Sequence, residues 1–519
     1  MRAYLVGSGM ASLAAATYLI RDGGVLPANI TVFEADDHPG GAMRMYGDPA
    51  TGYVLPTGRI FEKEFRCTRE FFALVPSATD PHSSIWDHVV AFNERHGYDT
   101  RARLIDRDGP MTIPPHFGLG PRDRLDLARL ALTPEAHLHG KPISDFFAPE
   151  FFATEFWFLW TSVMNSLPQH SALLMRRFMN RFLHLLPDLE RMQMIWRAPY
   201  DQFEAFVMPV VRWLEHQGVV FATGALVTDI RFEPVTAETT ATTIEVLRDG
   251  RRQTFEVTPE DVVLVTAGSQ TADLSIGSMS EAPRSRRDRR SWALWQKLAE
   301  VRPDFGPPEA FFGDATVADA VWTTFTVTTR DPTFFRLYSH LVGAEPGRGG
   351  IQTMTDSPWL LTTALFHQPK FIHQPPDVMV WWGFGLLPGR AGEHVRKPMV
   401  ECSGREILSE TLYHLGFAER AAQIVETSTC VPCCLPHAGS VWLVCEAGDR
   451  PAVVPERSTN FGFIGQFAEV PGEAPLTMEY SIRSAREAAA RLRQAAPPPP
   501  LYQGQHDPHA VFETLKALL

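Results

Sequence analysis

Residues 2–22 of the chain read RAYLVGSGMASLAAATYLIRD, and this stretch decides the fold. Its apolar start predicts a buried strand over residues 2–6, the GSG that follows predicts a tight turn, and the small and apolar residues after it predict a helix. A second predicted strand, residues 29–33, ends in Glu34, which lies 25 positions beyond Gly9. About 20 positions separate the same features in dinucleotide-binding folds, so the pattern predicts a complete βαβ unit.

The glycine turn has the chemistry of a cofactor site. Gly7 lets the chain turn tightly, Gly9 removes the side chain that would block a pyrophosphate, and the helix N-terminus offers oriented N–H groups. The third small position is Ser12. Glu34 would hydrogen-bond a ribose diol and repel a 2′-phosphate, which favours FAD or NAD over NADP. An ordinary glycine turn is the alternative interpretation.

A second glycine-rich layer follows the acidic residue, at Gly40-Gly41 and at Thr57-Gly58-Arg59. Close approach of the backbone at this place fits a larger cofactor that stays bound, namely a flavin. The alternative is that these are simple loop glycines.

Composition and charge narrow the function further. The formal net charge is −12, and binding to a phosphate backbone requires a basic face, so nucleic acid is not an expected partner. No apolar run reaches the roughly 18–20 residues that span a bilayer, so we do not expect an integral membrane protein. The opening carries no signal-peptide pattern and the 6 cysteines do not suggest a disulfide framework, so a cytoplasmic location is expected.

The cysteine cluster Cys430-Val-Pro-Cys433-Cys434 invites a zinc or redox interpretation. A zinc site needs four ligands, and the sequence has no second CxxC pair and no paired histidine spacing. We therefore expect buried structural cysteines and no metal site.

Long apolar stretches separate the nucleotide-binding elements. The aromatic-rich residues 146–182 are expected to form a helical insertion that covers something apolar. Strand patterns return at residues 225–232 and 261–267, and a strand at 461–466 precedes a helix at 477–492. The tail is expected to carry one short amphipathic helix. We expect the apolar face of this helix to pack on the body, and transient contact with a membrane surface is the alternative. The face consists of Val511, Phe512, Leu515, Leu518 and Leu519.

Characteristic blocks follow one another in a fixed order along the chain. They include YLVGSGMASLAAATYLIRDG, NITVFEADDHPGGAM, TGRIFEKEFRCTREFF, DQFEAFVMPVVRWLEHQGV, KPMVECSGREILSETLYHLGF and DRPAVVPERSTNFGFIGQFAEVP. In these blocks the chain resembles the oleate hydratase family, also called the myosin-cross-reactive antigen family. The similarity extends from about residue 2 to residue 490.

The resemblance implies an α/β fold, FAD-binding and Rossmann-like, of the amine-oxidase type, with a mixed-sheet and helical substrate-covering domain. It also implies addition of water to a cis double bond of a free unsaturated fatty acid, without net redox and with reduced FAD favoured. We expect this reaction, or movement of the double bond, from this chain. The implied flavin-domain segments are residues 1–80, 205–280 and 440–495. The implied substrate-covering segments are residues 81–204 and 281–439, and the tail is 496–519.

Transfer of the family's flavin-binding positions onto this sequence gives one set of candidate residues. Val227 would face adenine through its backbone, and residues 466–471 would pass the isoalloxazine ring. The full set is Gly7, Ser8, Gly9, Ser12, Glu34, Gly40, Gly41, Gly58, Arg59, Val227, Gln466 and Phe467.

The substrate side departs from the family pattern. The usual GGREME motif reads TGRIFE here, so Ile60 replaces the carboxylate thought to activate water, and only Glu62 remains. Phe178 replaces the tyrosine that protonates the alkene. An isoleucine cannot accept a proton and a phenylalanine cannot donate one, so the usual acid/base pair is absent. The positions that hold the substrate carboxylate in the family carry Ala364, Phe366 and Lys370.

Some branches of the family carry the IFE variant, which keeps hydration possible with Glu62, or a hydronium/water network near the flavin, as the acid/base. The candidate catalytic residues are therefore Glu62 and Tyr200, although Tyr200 also suits a structural role. The candidate substrate residues are Phe178, Lys370 and Trp381, and Lys370 would anchor a carboxylate as a point charge.

Two other functions fit the same fold, because a fold does not dictate chemistry. One is a redox flavoenzyme, an oxidase or desaturase of the amine-oxidase type. The other is a catalytically altered relative that binds FAD and lipid without turnover. The expected ligand is an unsaturated fatty acid or a similar apolar alkene, and a monomer or a homodimer is expected.

Overall fold

The computed structural model describes residues 1–233, 238–284 and 286–518. Its helices are α1 (Met10–Arg21), α2 (Arg66–Phe72), α3 (Ile85–His96), α4 (Pro121–Leu132), α5 (Glu155–Met164), α6 (Ala172–Arg181), α7 (Met208–Gln217), α8 (Arg290–Val301), α9 (Glu309–Phe312), α10 (Val317–Ala320), α11 (Thr333–Val342), α12 (Gly404–His414), α13 (Ala421–Glu426), α14 (Met478–Arg493) and α15 (Pro508–Leu518). Its strands are β1 (Ala3–Val6), β2 (Ile30–Phe33), β3 (Tyr46–Asp48), β4 (Gly52–Val54), β5 (Leu104–Asp106), β6 (Gly109–Pro110), β7 (Val220–Ala222), β8 (Ala225–Phe232), β9 (Ala241–Arg248), β10 (Arg251–Glu256), β11 (Val262–Thr266), β12 (Ser275–Ile276), β13 (Trp322–Thr329), β14 (Ile351–Met354), β15 (Leu361–Leu365), β16 (Met379–Gly385), β17 (Ser428–Leu435) and β18 (Phe461–Ile464).

Five parallel strands form the first sheet, in the order β18-β11-β1-β2-β7. Strand β1 lies at its centre and α1 connects it to β2, so the predicted βαβ unit is confirmed. The turn after β1 depends on Gly7, whose φ of +89° is a value that favours glycine. The Gly7 amide donates to the Phe33 carbonyl at 2.8 Å, which joins the end of β1 to the end of β2.

The second sheet is mixed and has eight strands, in the order β12-β17-β13-β16-β15-β14-β5-β6. Strand β13 is antiparallel to both β16 and β17, and all of its residues are buried. Four strands of this sheet, β13 to β16, lie within residues 322–385, a stretch that several prolines interrupt. Strand β13 is buried although five of its eight residues are threonine. The hydroxyls of Thr326 and Thr328 are paired, since they accept from the Leu55 and Tyr53 amides at 2.9 and 3.0 Å.

Helices α5 and α6 form within the predicted helical insertion, residues 146–182. Helix α5 packs against β14 and β5 of the eight-stranded sheet, and α6 packs against α4. Both begin with a capping side chain: Thr154 accepts from the Trp157 amide, and Ser171 accepts from the Leu174 amide. Their apolar side chains are almost entirely buried, so the aromatic residues of this stretch build a core between helices and sheet.

A three-stranded antiparallel sheet, β10-β9-β8, lies beside the parallel sheet. Helix α8, residues 290–301, packs against β8. It belongs to the stretch 281–439, whereas β8 belongs to the stretch 205–280, so the two stretches are in contact here.

The tail returns to the body after α14. The Thr514 hydroxyl of α15 donates to the Leu183 carbonyl at 2.9 Å, and Ala510 is buried beside it. Phe512 and Leu515 are 63% and 50% exposed, so the prediction that the apolar face of this helix packs on the body is wrong for these two residues. Leu519, the last member of that predicted face, lies outside the described residues. Among the helices of the described ranges, none combines the length and apolar character needed to cross a membrane.

Candidate active site

A cavity of about 420 Å³ lies at the carboxyl ends of β1, β2, β11 and β18. Open α/β sheets bind their ligands at this edge. The glycine turn lines its floor, Val227 of β8 lines its far side, and Arg290 and Leu294 of α8 line its outer side. We refer to it as the cofactor cavity.

Gly9 leaves the floor of this cavity open. It has φ −72° and ψ 177°, which any residue adopts, and a Cβ atom built on it would meet no atom of the described residues within 4 Å. Glycine is therefore not required here by the packing of the protein, and a ligand at this point explains it. Helix α1, which begins after Gly9, has no side-chain cap from the described residues and no acidic residue in its first turn. Its first N–H groups are thus available to an anionic group such as a pyrophosphate.

Glu34 is fixed at the tip of β2. Its Oε2 atom accepts from the Ser8 amide at 3.0 Å and from the Ser8 hydroxyl, and its Oε1 atom accepts from the Asp36 amide at 2.9 Å. Burial raises the pKa of Glu34, and the hydrogen bonds from Asp36 and Ser8 act against that rise. The carboxylate stands where the ribose of a dinucleotide would lie.

Gln466 gives an independent indication of what the cofactor cavity can bind. Its Nε2 atom donates to the Thr477 carbonyl at 3.4 Å, and its Oε1 atom is buried without a hydrogen-bond partner among the residues that the structure describes. Buried acceptors are nearly always paired in native proteins. An N–H donor of a cofactor ring would satisfy this atom, so the residues of the cofactor cavity fit a flavin.

Most of the predicted cofactor residues line this cavity, and two do not. Ser12 is buried behind it, where its hydroxyl lies 3.3 Å from that of Thr266 and joins α1 to β11. Gly58 lines the neighbouring cavity instead, close to Trp382. The residues that do line the cofactor cavity are Gly7, Ser8, Gly9, Glu34, Gly40, Gly41, Arg59, Val227, Gln466 and Phe467.

A second cavity, of about 160 Å³, lies between the eight-stranded sheet and helices α3, α5 and α6. We refer to it as the substrate cavity. Residues distant in sequence meet on its walls: Ile60 from the TGRIFE motif, Phe178 from α6, and Trp382 from β16. The other positions transferred from the family's substrate side also line it, namely Ala364, Phe366 and Lys370.

Arg59 lines both cavities. Its Nη2 atom donates to Gln270 Oε1 at 2.6 Å, and its carbonyl accepts from Gln202 Nε2 at 2.9 Å. Burial lowers the pKa of Arg59 to about 10, so the guanidinium stays charged at neutral pH. The boundary between cofactor and substrate cavities therefore carries one fixed positive charge.

The charged residues that line the substrate cavity are all cationic: Arg59, Arg197 and Lys370, with no aspartate or glutamate among its described lining residues. The Arg197 guanidinium lies 4.4 Å from the centre of the Tyr98 ring and donates to the carbonyls of His96 and Gly347. The cavity is thus locally positive in a chain whose formal net charge is −12. Such a cavity favours an anionic head group.

Lys370 is held at the wall of the substrate cavity by a backbone carbonyl and an aromatic ring. Its Nζ atom donates to the Tyr200 carbonyl at 2.9 Å and lies 4.6 Å from the centre of the Phe366 ring. Burial lowers the pKa of Lys370 to about 8, and the nearby Asp201 carboxylate partly offsets this. The ammonium is therefore mainly charged at neutral pH and loses its charge as the pH rises above about 8.

His367 lies beside this lysine and stays neutral at pH 7. Burial, the His96 ring and the positive charges of Arg197 and Lys370 lower its pKa to about 4. Its ring centre is 4.3 Å from that of His96.

Glu62 points away from both cavities and lines neither of them. Its side chain is 1% exposed, with Oε1 at 3.5 Å from Arg181 Nη1 and Oε2 at 3.5 Å from His184 Nε2. Oε2 also accepts from the Glu64 amide at 2.6 Å. Ile60 lies on the wall of the substrate cavity, but Glu62, the predicted acid/base two residues later, does not.

Tyr200 and Trp381 also lie outside the lining of the substrate cavity. Tyr200 reaches the site only through its carbonyl, which accepts from Lys370, while its ring lies 6.1 Å from that of His88. Trp381 stacks on Phe334 at 4.1 Å on the opposite face of the sheet. Side chains alternate along a strand, so its neighbour Trp382 faces the cavity instead.

The cysteine cluster lies on β17, where Cys430 and Cys433 are buried in different apolar clusters on the two faces of the strand. Burial raises the pKa of both thiols. Within residues 1–233, 238–284 and 286–518, no group of three or more His, Cys, Asp or Glu side chains is close enough together to hold a metal ion.

Several polar residues of the substrate cavity were not predicted from the sequence. Gln202 lies two positions after Tyr200, the residue of this segment that the resemblance singled out. Asn165 ends the aromatic helix α5 in a left-handed conformation, with φ +57°, a role that asparagine commonly fills. Arg197 and Tyr98 come from irregular segments, in which no periodic pattern points to a site.

Comparisons with known proteins agree with this architecture. The model of the MCRA family matches residues 1–489. The oleate hydratase of Streptococcus pyogenes serotype M49 (strain NZ131) is 33% identical over 528 residues, which cover 99% of this chain and 88% of that protein. The linoleate hydratase of Lactiplantibacillus plantarum is 29% identical, with 94% of this chain and 93% of that protein covered.

Solved structures show the same fold at low sequence identity. Cyclohexylamine oxidase from Brevibacterium oxydans IH-35A matches with a TM-score of 0.54 at 14% identity, over 95% of this chain and 98% of that one. Putrescine oxidase bound to putrescine matches with a TM-score of 0.54 at 13% identity, over 95% and 98%. At this identity the likeness concerns the fold alone, and it confirms the predicted α/β fold of the amine-oxidase type.

Proposed function

The chain belongs to the MCRA family, and from that membership we propose that it is an FAD-dependent fatty acid hydratase, a lyase that adds water to a carbon–carbon double bond of an unsaturated fatty acid without net redox. One observation carries the proposal. Ile60, Phe178, Ala364, Phe366 and Lys370 occupy the family's substrate-side positions, and all of them line one cavity. Through Arg59 that cavity adjoins the cofactor cavity.

The cofactor cavity supplies the contacts that FAD requires. The N–H groups at the start of α1 would hold the pyrophosphate above Gly9, Glu34 would hold the ribose, and Gln466 would accept from the ring system. When bound, FAD would contribute a structural and electrostatic surface, because the reaction transfers no electrons overall. We propose its reduced form, which the resemblance to the family favours. Arg59 stands between this surface and the substrate.

The substrate cavity suits a free fatty acid. Its walls are mainly apolar, from Phe178, Met192, Trp382 and Phe384, and would hold an acyl chain by exclusion of water. Lys370 and Arg197 would bind the carboxylate as charge-assisted donors. The alkene would then lie deeper, towards Ile60 and Arg59.

Glu62 acts, in this proposal, by positioning the TGRIFE segment. Its carboxylate is paired with Arg181 at 3.5 Å, and Arg181 Nε also donates to Glu473 Oε1 at 3.2 Å. This buried network anchors the chain two residues after Ile60 and three after Arg59. Water in the cavity would supply and remove the protons, since no carboxylate of the described residues lines it.

Replacing Glu62 with glutamine tests this role. If Glu62 is a positioning residue, we expect E62Q to lower the free energy of unfolding by about 1–3 kcal/mol, because a charged hydrogen bond is weakened. The kcat of E62Q should then stay within about tenfold of wild type. If Glu62 is instead the general acid or base, we expect kcat to fall roughly 10²–10⁴-fold with little change in stability. Chemical denaturation and steady-state kinetics separate the two. E64Q, at a half-buried carboxylate two residues later, is the matched control.

The hydratase function is tested directly by mass spectrometry. The FAD-loaded, reduced protein is incubated with oleate or linoleate, and the expected product is heavier than the substrate by one water. Recovery of the substrate alone, with neither a hydrated nor an isomerised product, would falsify the proposal. Peroxide release, or bleaching of oxidised flavin by the fatty acid, would instead indicate a redox enzyme.

A further inference from the structure

Two side-chain oxygens on the wall of the substrate cavity are buried without a hydrogen-bond partner in the described part of the chain: Oδ1 of Asn165 and Oε1 of Gln202. Both are acceptors. A fatty acid carboxylate has only acceptors to offer, so it cannot satisfy either of them. The acyl chain has no polar hydrogen at all. These oxygens therefore require a ligand with an O–H or N–H group, and of the reactants proposed above only water has one.

The orientation of Gln202 follows from its other hydrogen bond. Its Nε2 atom donates to the Arg59 carbonyl at 2.9 Å, which leaves Oε1 as its free atom. The side chain is 7% exposed and lies before the π-helical turn Phe203–Val207, which fixes its backbone. Because Arg59 adjoins Ile60, Gln202 places an acceptor beside the position from which the family's carboxylate is missing.

Asn165 reaches the cavity from the helical layer. Asn165 ends helix α5 in a left-handed conformation. Its backbone N–H donates to the Thr161 carbonyl at 2.8 Å, so the backbone that carries the side chain is fixed. The neighbouring polar residue Ser162 is already paired, because its hydroxyl donates to the Leu159 carbonyl at 3.0 Å and accepts from Arg103 at 3.1 Å. Of these two residues, Asn165 is thus the one with a free acceptor on this wall.

We propose that Gln202 and Asn165 are the water-binding residues of the reaction, in place of the carboxylate that Ile60 replaces. Each oxygen accepts a hydrogen bond from a water in the cavity and leaves a lone pair of that water for the alkene. This inference rests on the proposed hydratase function and names the residues that serve it.

The atoms balance without an ionisable side chain. A proton from a hydronium ion in the cavity adds to one alkene carbon, as the π electrons form the C–H bond. The oxygen of the held water then bonds to the other carbon, and the protonated alcohol releases its extra proton to a second water. The hydronium is regenerated, so the sum is the addition of one water. An amide oxygen orients the water in this scheme and does not take its proton.

The experiment compares Q202M and N165L, which keep side-chain size and remove the acceptor, with wild type in the FAD-loaded protein. We expect kcat for hydration to fall roughly 10- to 100-fold in each variant while KM for the fatty acid changes less than threefold. N165D keeps an acceptor oxygen and is expected to retain activity within about threefold. Q217M, the same substitution on the outer part of α7, is the matched control, and flavin content and melting temperature verify folding.

A second readout separates water binding from a merely structural role. In deuterated water, an alkene that is protonated but not captured by water loses a proton again and returns with deuterium or with a moved double bond. The ratio of such alkene to hydroxy product is expected to rise at least tenfold in Q202M and N165L. Unchanged kcat and an unchanged ratio in both variants would overturn the inference.

A crystal structure of the FAD-loaded wild-type protein tests the water site even if no hydration is detected. The expected result is an ordered water within about 3.2 Å of Gln202 Oε1 and of Asn165 Oδ1. Protein donors on these oxygens, with no water, would overturn the water-binding role. Failure of the mass-spectrometric assay with water present would overturn only the proposed hydratase function.

Discussion

Replacing Gly9 with valine is expected to abolish FAD binding while the protein still folds. The new side chain begins in open space, because its Cβ atom has no atom of the described residues within 4 Å, and the backbone there is extended. It fills instead the space above the start of α1 that the pyrophosphate requires. We expect at least a 100-fold rise in the dissociation constant for FAD, which a flavin-fluorescence titration measures.

The control for this experiment is Gly389→Val. Gly389 is an exposed glycine remote from the cofactor cavity, and a Cβ atom added to it would also meet no atom within 4 Å in the described ranges. Flavin binding should match wild type in that variant. The cofactor-free forms of wild type and both variants should melt within about 2 °C of one another. Tight FAD binding by the Gly9 variant would contradict the assignment of the glycine turn to the pyrophosphate.

Replacing Lys370 with methionine is expected to lower kcat/KM for a free unsaturated fatty acid about 100-fold. Truncating one member of a buried charge pair generally costs about 2–5 kcal/mol, and here the lost partner is the ammonium that faces the substrate carboxylate. The methyl ester of the same fatty acid carries no charge, so its kcat/KM should change less than threefold. A surface variant, K297M, is the matched control, since that lysine pairs with Asp229 at 2.9 Å far from the cavity lining.

The pH dependence of kcat/KM tests independently whether Lys370 binds the substrate carboxylate. The ammonium of Lys370 is present below its pKa of about 8 and is lost above it. Wild-type kcat/KM for the free acid should therefore fall as the pH rises through about 8, while K370R, which stays charged, should remain flat to higher pH. Equal loss of activity on the acid and the ester in K370M would show that the lysine serves the fold and not the carboxylate.

Local patterns were enough to predict the cofactor half of the molecule. The strand, glycine turn and helix of residues 2–22 are encoded in one short segment, and Glu34 follows at the spacing that the βαβ unit imposes. The eight-stranded sheet could not be predicted in the same way. Its strands come from both sides of the chain's middle, and their pairing depends on contacts between distant segments.

The substrate site was predictable in part, for a physical reason. The resemblance identified Ile60, Phe178 and Lys370, which share one cavity although they are far apart in sequence. Trp381 was expected in this cavity, whereas its neighbour Trp382 lines it. Which face of a strand meets a cavity depends on the sheet's surroundings, which a local sequence pattern does not contain. The direction of the Glu62 carboxylate could not be predicted either, because its partner Arg181 belongs to another element that is distant in sequence.

The order of the parallel sheet has a consequence for biosynthesis. Strand β18 pairs with β11, and the residues that follow it, Gln466 among them, complete the wall of the cofactor cavity. At about 5–20 residues per second, a ribosome needs roughly half a minute to a minute and a half to travel from β1 to β18. Throughout that time α1 lacks α14, its packing partner. The nascent chain therefore exposes its glycine turn long before the cofactor cavity is complete, so a cofactor that needs the whole cavity can be retained only late in synthesis or after it.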